Sequence, residues 1–494
     1  MVNKITILVA MLAGLFLGCA SSNQEITLTV EVKGEVPEAL LYTVPLDGIS
    51  FWGFRDTVTP DPDGRFHIRT ISNKPALVAL FTGKGGRFYD TWDLLLVEPG
   101  KHYEVLMDKE AEPTSMMIND NQCKAQALLQ TFPNHAHPQM DELWHLHDSA
   151  VDIIRNTVNL RLQEELLQLD GLLEQDLVSP EAHEMLSYTR RFYHLYVMNF
   201  LASMKYLTPL FHGEDSSDEQ ALALWLEAGF SPEDTWFFSA PQAFDFLSHY
   251  SWGQLYYHVG YTEAAQVQRN HIERGLRHTR NLEIAETYLE PEAMAFFKAT
   301  YLFFHAYQQR YEKELITLYE TYQTTYPRSD YLPFLNPLIE GVIDFHAKAD
   351  EGLSAEMHIL DNYNEISSFE ELVAPFHGRR VYLDVWATWC GPCKREFAHM
   401  EDLKAVLQEK DILMLYISTD HDSDDEQWKN MIKYYNLEGY HVRAGNALKS
   451  ELNTLLGIQG IPHFALVDDR GKILIPKAHR PSELEALKQQ LGMD

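Results

Sequence analysis

The stretch Val381-Tyr382-Leu383-Asp384-Val385-Trp386-Ala387-Thr388-Trp389-Cys390-Gly391-Pro392-Cys393-Lys394 decides how the end of the chain is read. Its first six residues are apolar except for Asp384, which predicts a buried strand. Beyond Cys390, polar and apolar residues recur at helical spacing to about Gln408. Cys390 therefore opens a helix, and Cys393 lies one turn further on. Pro392 suits a first helical turn, where no backbone N–H is needed. Only a thiolate attacks a disulfide. The unpaired N–H groups and dipole of a helix start favour negative charge, so the Cys390 thiol should titrate below the free value of about 8.5. In this reading Cys390 is the exposed nucleophile that attacks a partner disulfide. Cys393, shielded, then resolves the mixed disulfide.

Outward from this stretch, strands and helices alternate. Ile412 to Ile417 reads as a second buried strand, with helices near 426–435 and 448–456. Gly460-Ile461-Pro462-His463-Phe464 leads into the strand Ala465-Leu466-Val467. Asp469-Arg470-Gly471 turns into a last strand, 472–475, and 482–491 closes as a helix. The order strand, Trp-Cys-Gly-Pro-Cys, helix, then Ile-Pro before a hairpin resembles the thioredoxin fold. Over residues 355–494 it is most similar to the TlpA/ResA-type branch of envelope thiol–disulfide reductases.

That resemblance implies roles for further residues. Asp384 matches the buried acid beneath the thioredoxin site, able to take the proton of Cys393 during resolution. Glu396 matches an acidic residue common in the branch; the plainer alternative is a solvated helix residue. Ala398 stands where the branch often has proline, a change that would let the helix run straight. Pro462 is expected to be cis. Trp389, Gly391, Pro392, Ile461 and Pro462 would face the client, with the Ile461 backbone pairing to an extended client segment. Gly-Pro between the cysteines resembles thioredoxin itself, whose potential is about −270 mV, which favours a reductase. By the same resemblance no bound cofactor is required. Electrons would come from a membrane-embedded thiol transporter, and clients would be envelope proteins with disulfides, apocytochrome c among them.

Other uses of the two cysteines fit less well. A structural zinc site wants four ligands, and attached haem needs His directly after the second cysteine, where Lys394 stands. A purely structural disulfide over so short a loop would gain little. A disulfide oxidase or isomerase remains open. So does a binding protein whose upstream domains recognise a partner while the redox domain is accessory.

Upstream, residues 26–110 read as a small β-sandwich. Ile26, Leu28, Val30 and Val32 alternate with polar residues, Asp61-Pro62-Asp63-Gly64 marks a turn, and Tyr103, Val105 and Met107 alternate again. Residues 120–350 read as an all-helical domain: Ile154, Val158, Leu162, Leu166, Leu169 and Leu173 recur at three- and four-residue steps. His135, His137, His145 and His147 with Asp141 and Asp148 match no ligand spacing and read as loop polar groups. Cys123 reads as a small buried apolar group or a stray thiol, without a role.

Residues 1–18 hold a short charged start and an apolar run of 13 residues, Ile5 to Leu17. That is a secretory signal and too short for a spanning helix, which needs about 20 residues. Leu17-Gly18-Cys19-Ala20 resembles a bacterial lipobox, with Cys19 acylated; the alternative is an ordinary signal with a chance cysteine. Ala20 favours the outer over the inner membrane. Acidic residues number 72 against 40 basic ones, a net charge of −32. This argues against nucleic acid, whose phosphates require basic surface, and against polybasic docking on anionic lipid. The expected whole is a lipid-anchored envelope protein of three domains.

Overall fold

The computed structural model describes residues 25–34, 36–82, 94–108, 115–118, 123–135, 137–213, 218–227 and 229–493. Cys19 and the signal segment lie outside the described residues. The chain divides into two compact units, Met1–Thr300 and Tyr301–Asp494.

Among the described residues, the first unit opens on eight strands: β1 Glu25–Lys33, β2 Leu40–Thr43, β3 Arg55–Val58, β4 Phe66–Ile71, β5 Ala76–Thr82, β6 Leu94–Val97, β7 His102–Asp108 and β8 Ser115–Ile118. They form two four-stranded sheets, ordered β4-β1-β7-β8 and β3-β2-β5-β6. Period-2 alternation turns Ile26, Leu28, Val30, Phe66, Ile68, Tyr103 and Val105 of one sheet towards Leu40, Tyr42, Val78, Leu80 and Val97 of the other, in one apolar cluster. β1 is an interior strand, antiparallel to β4 and parallel to β7.

Helices follow. The longest, Pro180–Phe211, starts where Ser179 accepts a hydrogen bond from the Ala182 N–H, with Pro180 in the first turn. It packs on Val151–Glu174, where buried Glu165 accepts from the Arg190 guanidinium at 2.7 Å. Among the described residues, no helix is long and apolar enough to cross a membrane.

The second unit contains the helices Glu314–Thr325 and Leu332–Ala349, which belong to the helical stretch read from sequence as 120–350. Six strands follow: β9 Met357–Ile359, β10 Arg380–Trp386, β11 Ile412–Ser418, β12 Gly439–Arg443, β13 His463–Val467 and β14 Ile473–Ile475, in the order β14-β13-β10-β11-β12-β9. β10 is central, parallel to β11 and antiparallel to β13. Its alternation divides the site from the core. Val381, Leu383 and Val385 join Leu415, Ile417, Ala465 and Val467 under the helices Phe369–Val373 and Asn446–Leu456. Tyr382, Asp384 and Trp386 therefore point to the other face.

Two features depart from the sequence reading. β9 and β12 were not expected, because neither is an apolar run. The helix after Cys390 is also broken, despite Ala398. It runs Gly391–Glu396, tightens to a 3₁₀ turn at Phe397–His399, and resumes at Met400–Glu409. The buried Phe397 ring sits edge-on to Trp386, with centroids 5.2 Å apart, and against Tyr435 at 5.1 Å. Tertiary packing of that ring overrides the helix propensity of alanine.

Candidate active site

β10 delivers the chain into the turn 387–390, where the Cys390 N–H donates to Ala387 O at 3.0 Å. Cys390 caps the Gly391–Glu396 helix: its Sγ accepts from the Cys393 N–H at 3.1 Å. The two sulfurs are joined in a disulfide, with Cα atoms 5.3 Å apart. The same N–H that caps the disulfide would stabilise a Cys390 thiolate once the bond is reduced. In this oxidised state Cys390 is only 3% exposed, hardly more than Cys393, whereas neighbouring Trp389 is 53% exposed. The expected contrast between an open Cys390 and a shielded Cys393 is absent here, because the Sγ–Sγ bond and the helix N–H hold the Cys390 sulfur inward. Gly391 and Pro392 form the first turn, and the Ile461–Pro462 peptide is cis, as expected. Ile461 and Pro462 are both part-exposed.

The two carboxylates differ sharply. Asp384 lies on β10 opposite Tyr416 and Phe464 and is 1% exposed. Neither of its oxygens has a hydrogen-bond partner. Burial, reinforced by the charge of Glu396, pushes its carboxyl well above the ordinary range. Glu396 is buried too, which excludes a solvated helix residue. Its carboxylate accepts from the Ser482 N–H at 3.0 Å and the Ser482 hydroxyl at 3.1 Å, and the Arg480 guanidinium stands 3.5 Å away.

Sequence reasoning missed two polar residues here. Asp420, just past β11, accepts from the Thr388 N–H, from the Thr388 hydroxyl at 2.7 Å and from the Ser418 hydroxyl at 2.7 Å. It thereby fixes the turn two residues before Cys390. The only sequence signal is an acid at the carboxy end of a strand adjacent to β10. Asp420→Ala leaves those buried donors unpaired and should cost about 1–3 kcal/mol; urea unfolding of the full chain, read by tryptophan fluorescence, checks it. Lys394, directly after Cys393, is buried and donates to Thr388 O at 2.9 Å.

Other candidates lie elsewhere. His145 and His147 bond neighbouring backbone carbonyls, and His137 caps a short turn. Among the described residues no group of three or more His, Cys, Asp or Glu is placed to hold a metal ion. Cys123 is an exposed free thiol, not a buried apolar group.

Residues 378–473 match the family described as thioredoxin-like. The carboxy-terminal domain is thioredoxin-like. Over 99 residues the chain is 32% identical to thiol-disulfide oxidoreductase ResA of Bacillus thuringiensis subsp. konkukian, covering 20% of this chain and 54% of that protein. The chain thus spans about half the length of the relative it matches. Two solved structures are similar to the thioredoxin-like domain. A thiol-disulfide oxidoreductase from Bacteroides fragilis is 32% identical, over 24% of this chain and 82% of that one, with TM-score 0.20. The thioredoxin domain of a thiol-disulfide oxidoreductase from Bacteroides vulgatus is 26% identical, over 24% and 81%, with TM-score 0.21.

Proposed function

We propose that the protein is an envelope thiol–disulfide reductase acting through Cys390 and Cys393. The observation that carries this is the Cys390–Cys393 disulfide at a helix start, capped by the Cys393 N–H, within a thioredoxin-like domain. The name of the ResA relative supports the reaction class. The Cys390 thiolate attacks one sulfur of a client disulfide, and the first client thiolate leaves. The Cys393 thiol then passes its proton to Asp384 and attacks Cys390 Sγ. That forms the intramolecular disulfide and expels the second client thiolate, which takes a proton from water. The client gains two electrons and the protein loses two. Burial raises the proton affinity of the Asp384 carboxylate, as an acceptor of that proton requires. Trp389, Gly391, Pro392, Ile461 and Pro462 would contact the client, and a membrane thiol transporter would restore the dithiol.

Reduction of insulin by the full chain, with dithiothreitol as donor, tests the reading. A chain that folds yet leaves insulin oxidised points to the binding-module alternative. A reduction potential near that of a strong oxidant, about −120 mV, would instead indicate an oxidase.

For the upstream strands we propose a β-sandwich, supported by the two sheets that share one core. For Cys19 we propose acylation after removal of residues 1–18, with the protein held at the periplasmic side of the envelope. Cys19→Ala should abolish incorporation of a labelled fatty acid in the native cell. Undiminished labelling of that variant rules the anchor out.

A further inference from the structure

Lys394 reaches beyond the thioredoxin-like domain. Besides Thr388 O, its ammonium donates to Gln308 O at 2.9 Å and Gln309 O at 2.8 Å. Gln308 and Gln309 directly follow the helix Pro291–Tyr307 and lie upstream of the thioredoxin-like match at 378–473. An ammonium has three N–H donors, and here all three have carbonyl acceptors. A neutral amine would leave one carbonyl without its donor.

The upstream segment is held in an unusual shape. Gln309 and Tyr311 have φ of 54° and 57°, the left-handed region that bulky residues avoid. Such a conformation persists only where the surroundings over-determine it. Here they do so from several sides. The Gln427 amide donates to Arg310 O. The Tyr311 hydroxyl lies 2.6 Å from that of Tyr435, whose ring packs on Phe397 beneath Trp386. His346 Nε2 bonds Tyr311 O at 2.8 Å, and the Tyr311 ring stacks on Phe345 with centroids 4.4 Å apart.

We propose that residues 308–311 are a positioning element of the redox site, gripping through Lys394 the Thr388 carbonyl in the turn that presents Cys390. Asp420 holds the other side of Thr388, so the turn is fixed from inside and outside the thioredoxin-like domain. The inference rests on the dithiol reading above. A fixed turn, and a cation bonded to that turn two residues before Cys390, both favour the thiolate-bearing reduced state. Burial and Arg310 oppose the Lys394 charge and bring its pKa down to about 7, while Glu312 and Asp420 favour it.

The test is a redox titration of the full-length chain in dithiothreitol buffers, with the pH dependence of Cys390 alkylation measured in parallel. Lys394→Met should move the equilibrium on the order of tenfold towards the disulfide, about 30 mV more negative, and raise the pH at which Cys390 alkylates. Lys394→Arg, which keeps a cation, should recover part of the shift. The double variant Gln427→Leu/Tyr435→Phe leaves Lys394 intact and loosens only the segment; it should shift the equilibrium the same way by about threefold. If Lys394→Met does not fold, the double variant decides alone. A folded double variant with the wild-type potential overturns the positioning role, whatever Lys394→Met does. A wild-type chain with no reversible two-electron transition would overturn the dithiol reading instead.

Discussion

Cys393→Ser should accumulate covalent mixed disulfides with client proteins, while Cys390→Ser should neither turn over nor trap. The asymmetry follows from position. Only the Cys390 sulfur caps the helix, where the Cys393 N–H stabilises a thiolate. Without Cys393 the first displacement still occurs, but nothing expels the second client sulfur. Without Cys390 the remaining thiol is 1% exposed and lacks the capping position. Each variant loses turnover essentially completely, so the discriminating readout is the adduct, seen on non-reducing gels and by mass spectrometry. Adducts on Cys390→Ser, or faster alkylation of Cys393 than Cys390 in the reduced wild type, would reverse the two roles.

Asp384→Asn should make a slower but more stable protein. The resolving step loses its proton acceptor, and a general base typically supplies about 10²–10⁴-fold; rate against pH by stopped flow measures this. The stability effect has a definite sign. Below the ordinary carboxyl value of 3.8, Asp384 is neutral in folded and unfolded chains alike. As pH rises the unfolded chain gives up the proton, while the buried carboxyl keeps it. The unfolded state then binds fewer protons, so stability falls with rising pH up to the raised folded value. Asparagine removes that slope. The variant's unfolding midpoint should exceed the wild type's at pH 7–8 and match it near pH 3.8 or below. A pH profile of the resolving step identical to wild type would remove Asp384 from the mechanism. Glu396→Gln should act more weakly on the rate, because Ser482 and Arg480 already occupy its oxygens.

The parts of the site legible in the sequence are those written locally. Strand, Cys-X-X-Cys and helix lie within one short stretch, and Ile461-Pro462 before a hairpin is a second local pattern. The illegible parts depend on partners far along the chain. Glu396 reads equally well as a surface residue until Ser482, 86 residues on, meets it. Asp420 resembles any loop acid until it bonds Thr388, 32 residues back. Lys394 looks like an ordinary helix lysine, since its acceptors at 308 and 309 precede it by more than 80 residues. β12 was missed for a related reason. Gly439-Tyr440-His441-Val442-Arg443 has no apolar run, and its buried His441 is accommodated by stacking on Tyr416 and bonding Leu437 O.

β1 opens the described chain, yet it is not an edge. It is flanked along Glu25–Val30 by β4 and along Thr27–Lys33 by β7. A pull applied at its amino end, along the strand axis, would load both ladders at once, so their hydrogen bonds share the force in shear. An edge strand pulled away sideways would instead unzip one bond at a time. The first unit is thus built to bear tension at the end that carries the proposed anchor. The same arrangement delays its completion. β1 can meet β4 first, but its parallel ladder to β7 must wait until β7, some 70 residues later, has emerged, so the first described strand is flanked on both sides only late.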